Sequence, residues 1–104
     1  MTVRISSLTK EYVKVPARGE VAGGPANLAQ YTLKMAFPAE GNEPEVTDWV
    51  NGDWETWPDD FYMARVLVGP GSDKALPDGN YDVWINVVTP SEDIKRRVDR
   101  LVVT

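Results

Sequence analysis

The stretch Leu76-Pro77-Asp78-Gly79-Asn80-Tyr81-Asp82-Val83-Trp84-Ile85-Asn86-Val87-Val88 constrains this chain more than any other. Pro77-Asp78-Gly79 is turn chemistry: proline pre-sets φ, aspartate hydrogen-bonds its own backbone, and glycine takes conformations other residues avoid. Beyond it the apolar residues Tyr81, Val83, Ile85 and Val87 alternate with Asp82, Trp84 and Asn86. That is the period of a strand with one face on a core. Leu76, then Gly79, then Tyr81 matches a tyrosine corner, in which a Tyr near the start of a late strand ties its hydroxyl back to the preceding turn. A chain with this corner is expected to close as a Greek-key β-sandwich.

The remaining segments agree. Period-two patterning or short apolar runs predict strands near Val3 to Ser6, Tyr12 to Val15, Gln30 to Phe37, Thr47 to Thr56 as a hairpin, Tyr62 to Val68, Tyr81 to Val88 and Lys95 to Val103. Breaks fall at Gly19 to Pro25, Pro38 to Pro44, Gly69 to Asp73, Pro77 to Gly79 and Thr89 to Asp93. One helical turn fits around Ala26 to Ala29, and Gly19 to Pro25 reads as the most mobile loop. The expected fold is all-β: an antiparallel sandwich of about seven to eight strands. With 104 residues it forms a single domain over 1–104. Tyr31, Leu33, Met35 and Phe37 should meet Tyr81, Val83, Ile85 and Val87 in its core. The last strand changes phase: Val98 shares parity with Arg96 and Arg100, whereas Leu101 and Val103 share it with Asp99. A bulge near Asp99 and Arg100 would reconcile the two halves.

Asn51-Gly52 reads as a type I′ hairpin turn. In that register Trp49 opposes Trp54, and Asp48 opposes Glu55. Three uses of the hairpin stand open. The tryptophans can cover one end of the sandwich above solvated acids, or the hairpin can project onto a basic partner. Otherwise Asp48 and Glu55 can hold calcium, or the rings can stack on sugars. The calcium use lacks a dense loop of oxygen ligands.

The net charge of −5 conceals a block from Glu40 to Asp60 with eight acidic residues and no basic one, which leaves the rest of the chain at +3. Phosphate backbones would be repelled by the middle, so nucleic acid is not an expected partner. Faces of opposite sign suit docking against other proteins or further copies. Histidine and cysteine are both absent, which removes the commonest general base and the thiolate nucleophile. The serines lack a neighbouring base, Asp59 and Asp60 point apart as chain neighbours, and Gly69-Pro70-Gly71-Ser72 lacks the lysine of a phosphate loop. No enzymatic activity, cofactor or metal is expected. Met1-Thr2-Val3-Arg4-Ile5 opens no long apolar stretch, so neither signal peptide nor membrane association is expected.

Trp84 stands out because its parity places it outside the core. Either Arg65 or Arg97 covers it as a cation–π pair, or it anchors a protein interface. Val3 and Ile5 likewise form either an ordinary first strand or an extension of a neighbour's sheet edge.

Tyr62 to Gly69, Gly79 to Val87 and Ile94 to Val103, with Trp54-Glu55-Thr56 upstream and Glu11 to Pro16 more loosely, resemble small immunoglobulin-like virion proteins of tailed bacteriophages and prophages. The resemblance implies an immunoglobulin-like fold and a non-enzymatic structural role. That role is capsid decoration or a head-to-tail neck accessory in a virion assembled in the bacterial cytoplasm. The implied partners are capsid, connector or tail proteins, with self-association in symmetric arrays. The competing expectation is a carbohydrate-binding or tail and baseplate adhesion module built on Trp49, Trp54 and Trp57. The interface candidates are Trp84, Arg65, Arg97, Trp49, Trp54, Trp57, Asp48 and Glu55.

Overall fold

A computed structural model describes residues 2–17, 31–57, 61–72, 74–90 and 93–104. The expected helical turn at Ala26 to Ala29 and loop at Gly19 to Pro25 lie outside the described residues, as do Asp59 and Asp60. Among the described residues eight strands appear in chain order: β1 (Thr2–Ile5), β2 (Glu11–Ala17), β3 (Thr32–Ala36), β4 (Val50–Asn51), β5 (Asp53–Trp57), β6 (Phe61–Val68), β7 (Gly79–Val88) and β8 (Asp93–Val103). A 3-10 turn, Val46–Asp48, precedes β4.

The strands form two sheets, a five-stranded one in the order β1-β8-β7-β3-β4 and a three-stranded one in the order β2-β6-β5. Alternation builds one core between them. Val13 and Val15 of β2 and Tyr62, Ala64, Val66 and Val68 of β6 turn inward from one side. Ile5, Leu33, Met35, Phe37, Val83, Ile85, Val87, Leu101 and Val103 meet them from the other. The two sets expected to meet are therefore in the core, with Tyr31 and Tyr81 at its margin. Each fully buried Val, Ile or Met contributes roughly 1.5–3 kcal/mol relative to exposure. The two sheets make a β-sandwich, in which β7 lies between β8 and β3, and β6 between β2 and β5.

The tyrosine corner forms. The Tyr81 hydroxyl donates to the Pro77 carbonyl at 2.6 Å, closing the turn that launches β7.

Three expectations are corrected. First, the sandwich is not antiparallel throughout: β1 pairs in parallel with β8, Thr2 opposite Arg100 and Ile5 opposite Val103. Val3 and Ile5 thus belong to an ordinary strand of the chain's own sheet. Second, Asn51-Gly52 does not close a hairpin. β4 pairs with β3 in one sheet and β5 with β6 in the other, so the chain crosses the sandwich at Gly52. The Gly52 amide donates to the Leu33 carbonyl at 3.0 Å. A Cβ at Gly52 would sit 2.9 Å from the Arg65 carbonyl oxygen and 3.2 Å from a Leu33 methyl. Close approach of two sheets, not left-handed backbone, is what requires glycine here. The direct Trp49–Trp54 and Asp48–Glu55 pairings therefore do not exist. Third, the expected bulge in the last strand is present but one residue earlier, at Val98: Trp84 opposes Arg97 and Val83 opposes Asp99, leaving Val98 without an opposite residue.

Candidate functional site

The bulge decides what the five-stranded sheet shows to solvent. Arg97 and Arg100 are three residues apart and would face opposite sides of a regular strand. With Val98 inserted, Arg97 lies opposite Trp84 and Arg100 opposite Asp82, all on the outer face. Register adds Lys34, opposite Asn86, and Arg4 of β1, opposite Val102. The outer face is therefore basic around a half-buried Trp84.

Asp82 organises this face. It is 4% exposed. Its Oδ2 accepts from the Gly41 amide at 3.0 Å, and its Oδ1 lies 3.0 Å from Arg97 Nε as an ion pair without hydrogen-bond alignment. Burial works against the charged carboxylate, but the Gly41 amide and the guanidiniums of Arg97 and Arg100 outweigh it and hold Asp82 below the usual carboxylate range. The Asp82 amide donates to the Pro38 carbonyl, and the Glu40 amide to the Asn80 carbonyl. Gly41 turns the chain there with φ +87°. The loop after β3 is thus strapped to β7, and its Glu40 and Glu43 edge the same shallow groove as Trp84, Arg97 and Arg100, about 380 Å³ in volume. The Trp84 indole Nε1 is buried without a hydrogen-bond partner. A buried donor left unpaired costs about 1–3 kcal/mol.

At the far end of the same face, Asn86 donates to Asp93 and, at 3.1 Å, to the Ile94 carbonyl. The Asn86 bond and Lys95 at 3.1 Å lower the Asp93 pKa.

Arg65 belongs to the opposite face. On β6, in the three-stranded sheet, it cannot reach Trp84. Its guanidinium stacks 4.5 Å from the Tyr12 ring centroid, and its Nε donates to Asp53 at 2.8 Å. Glu55 binds Lys14 at 2.7 Å and lies 3.4 Å from Arg65. The hydrogen bond to Asp53 is the main reason the Arg65 pKa is raised. Among the described residues no guanidinium stacks on Trp84, and Arg97 is engaged by Asp82 instead. The intramolecular cation–π cover is corrected on both counts.

The remaining candidates scatter. Trp54 points inward: its Nε1 donates to the Tyr31 carbonyl at 3.0 Å, and its ring meets Tyr62 edge-on with centroids 6.3 Å apart. Trp49 is half-buried between the 3-10 turn and β4. Trp57 ends β5, and its side chain lies outside the described residues. Asp48 Oδ2 accepts from the Glu45 amide at 2.7 Å within a capping box. Asp48 and Glu55 are thus occupied separately and form no common cation site. Of the eight candidates, the structure brings together Trp84 with Arg97, and Arg65 with Glu55. Asp82 and Arg100 were missed; shared parity with Trp84 could have flagged Asp82, but Arg100 depends on where the bulge falls.

Compared with protein-family models, curated proteins and solved structures, the chain matches none.

Proposed function

We propose that this domain is a non-enzymatic structural module that works by protein–protein contact through the outer face of its five-stranded sheet. The observation that carries the reading is Trp84. It is a large ring on a predominantly charged and polar face, flanked by Arg97 and Arg100 in register, with its indole N–H unpaired. Trp and Arg dominate the energetics of protein interfaces, above all where a pocket loses its water. The proposed setting is a tailed-phage virion, as capsid decoration or neck accessory, and rests on the resemblance of the quoted segments. The carbohydrate alternative gains nothing from Trp54, whose ring and N–H are spent inside the fold.

Trp84→Ala tests the reading. Because Trp84 lies outside the core, the variant should melt within a few degrees of the parent, whereas Ile85→Ala should lose ~2–5 kcal/mol. Its incorporation into purified particles, measured by mass spectrometry, should fall at least ~10-fold. Parent-like incorporation, or particles lacking the parent chain, would overturn the proposal.

A further inference from the structure

We infer that the basic outer face and the acidic segment beside it form one self-complementary patch, through which two copies of this chain pair about a two-fold axis. This deepens the docking-face reading and rests on it, since it names the partner.

The two halves of the patch are contiguous. The basic half is Arg97 and Arg100 on β8, with Arg4 on the neighbouring β1. The acidic half begins with Glu40 and Glu43, which edge the Trp84 groove. It continues through the 3-10 turn, whose Glu45 and Asp48 cap each other's backbone amides. Glu43, Glu45 and Asp48 also line a second, adjoining depression. Val46 stands on this turn 91% exposed, an apolar knob between carboxylates. The groove beside it is the converse, an apolar ring between guanidiniums.

Part of this charge has no ion-pair partner within one copy. Among the described residues Arg4, Arg100, Glu40 and Glu43 make no ion pair, although Glu40, Glu43 and Arg100 border one groove. The fold holds the two halves side by side along one groove. A patch with a positive half beside a negative half becomes complementary to itself on two-fold rotation, because each half then meets its opposite on the other copy and the contact forms twice. An acidic segment of a different protein would satisfy the basic half alone and leave the acidic half unused.

The test uses the full chain in sedimentation velocity from micromolar to millimolar concentration, at low and high salt. The parent should dimerise at low salt and weaken as salt is raised, because the contact is electrostatic and rimmed by solvent. Arg100→Glu inverts one charge of the basic half, and Glu40→Lys with Glu43→Lys inverts two charges of the acidic half. Each should raise the dimer dissociation constant at least ~10-fold through like-charge contacts. An equimolar mixture of the two variants should recover dimerisation, since both contacts then join opposite charges. Circular dichroism melts confirm folding; if Arg100→Glu unfolds, Arg4→Glu replaces it. A parent chain monomeric at ~1 mM, reversals without effect, or a mixture that stays monomeric would each overturn the inference. If the parent is monomeric while Trp84→Ala still loses particle incorporation, the face docks another protein and only the two-fold pairing falls.

Discussion

Gly69 is where a single atom would cost this fold most. Its φ is +128°, and a Cβ there would lie 2.2 Å from the Thr9 carbonyl oxygen and 2.8 Å from Lys10 Cα. Both obstacles are backbone, so no rotamer change relieves them. Gly69→Ala should therefore destabilise by ~2–4 kcal/mol, seen as a fall in melting temperature of ten degrees or more. The Tyr81 hydroxyl offers a milder case. Tyr81→Phe removes its 2.6 Å bond to the Pro77 carbonyl while keeping the ring. The cost should be about 1 kcal/mol in chemical denaturation, with the slope against denaturant unchanged. At this scale much was legible. Turn chemistry ahead of a Tyr identified the corner before any partner was known, because the bond spans four residues of local chain. The role of Gly69 was not legible, since the atoms it avoids come from the loop ahead of β2, far away in sequence.

Among the elements, the most instructive is the crossing between β4 and β5. Asn-Gly is favoured in hairpins because both residues tolerate positive φ, and the flanking residues have strand character either way. Local chemistry cannot distinguish two strands that turn back on each other from two that continue into different sheets. What separates the cases is what lies behind the glycine, here Leu33 of one sheet and Val66 of the other. Gly52→Ala should accordingly cost ~1–3 kcal/mol by overpacking, a loss measurable by calorimetry. Gly71→Ala would meet nothing within 4 Å, so its cost is confined to its φ of +80°. A hairpin turn at Gly52 would instead tolerate an added methyl sterically. β8 makes the same point about register. Its change of phase was visible in the order of residues, but the placement of the bulge at Val98 follows from pairing with β7.

For the molecule as a whole, acid should weaken the fold through groups the structure identifies. The folded pKa values of Asp82 and Asp93 are lowered, so their charged forms contribute stability that is complete above the ordinary aspartate value near 3.8. That contribution is lost as pH falls through the lowered folded values, because the unfolded chain takes up protons first. Denaturation midpoints should therefore hold down to the ordinary aspartate range and fall below it. Asp82→Asn should be less stable at neutral pH and show a flatter decline in acid; an unchanged decline would show that Asp82 is not a principal acid-labile group. Local patterning by itself determined that this chain is all-β, where its corner is, and which side chains of β3 and β7 face inward. Such alternation is a property of each strand's own backbone and needs no partner. Only the tertiary structure decided which strands share a sheet, since pairing such as Ile5 with Val103 joins opposite ends of the chain. Through that pairing it separated Arg65 from Trp84. It also strapped the acidic loop to Asp82 and brought Arg97 and Arg100 onto one face, which makes Trp84 the centre of a charged patch.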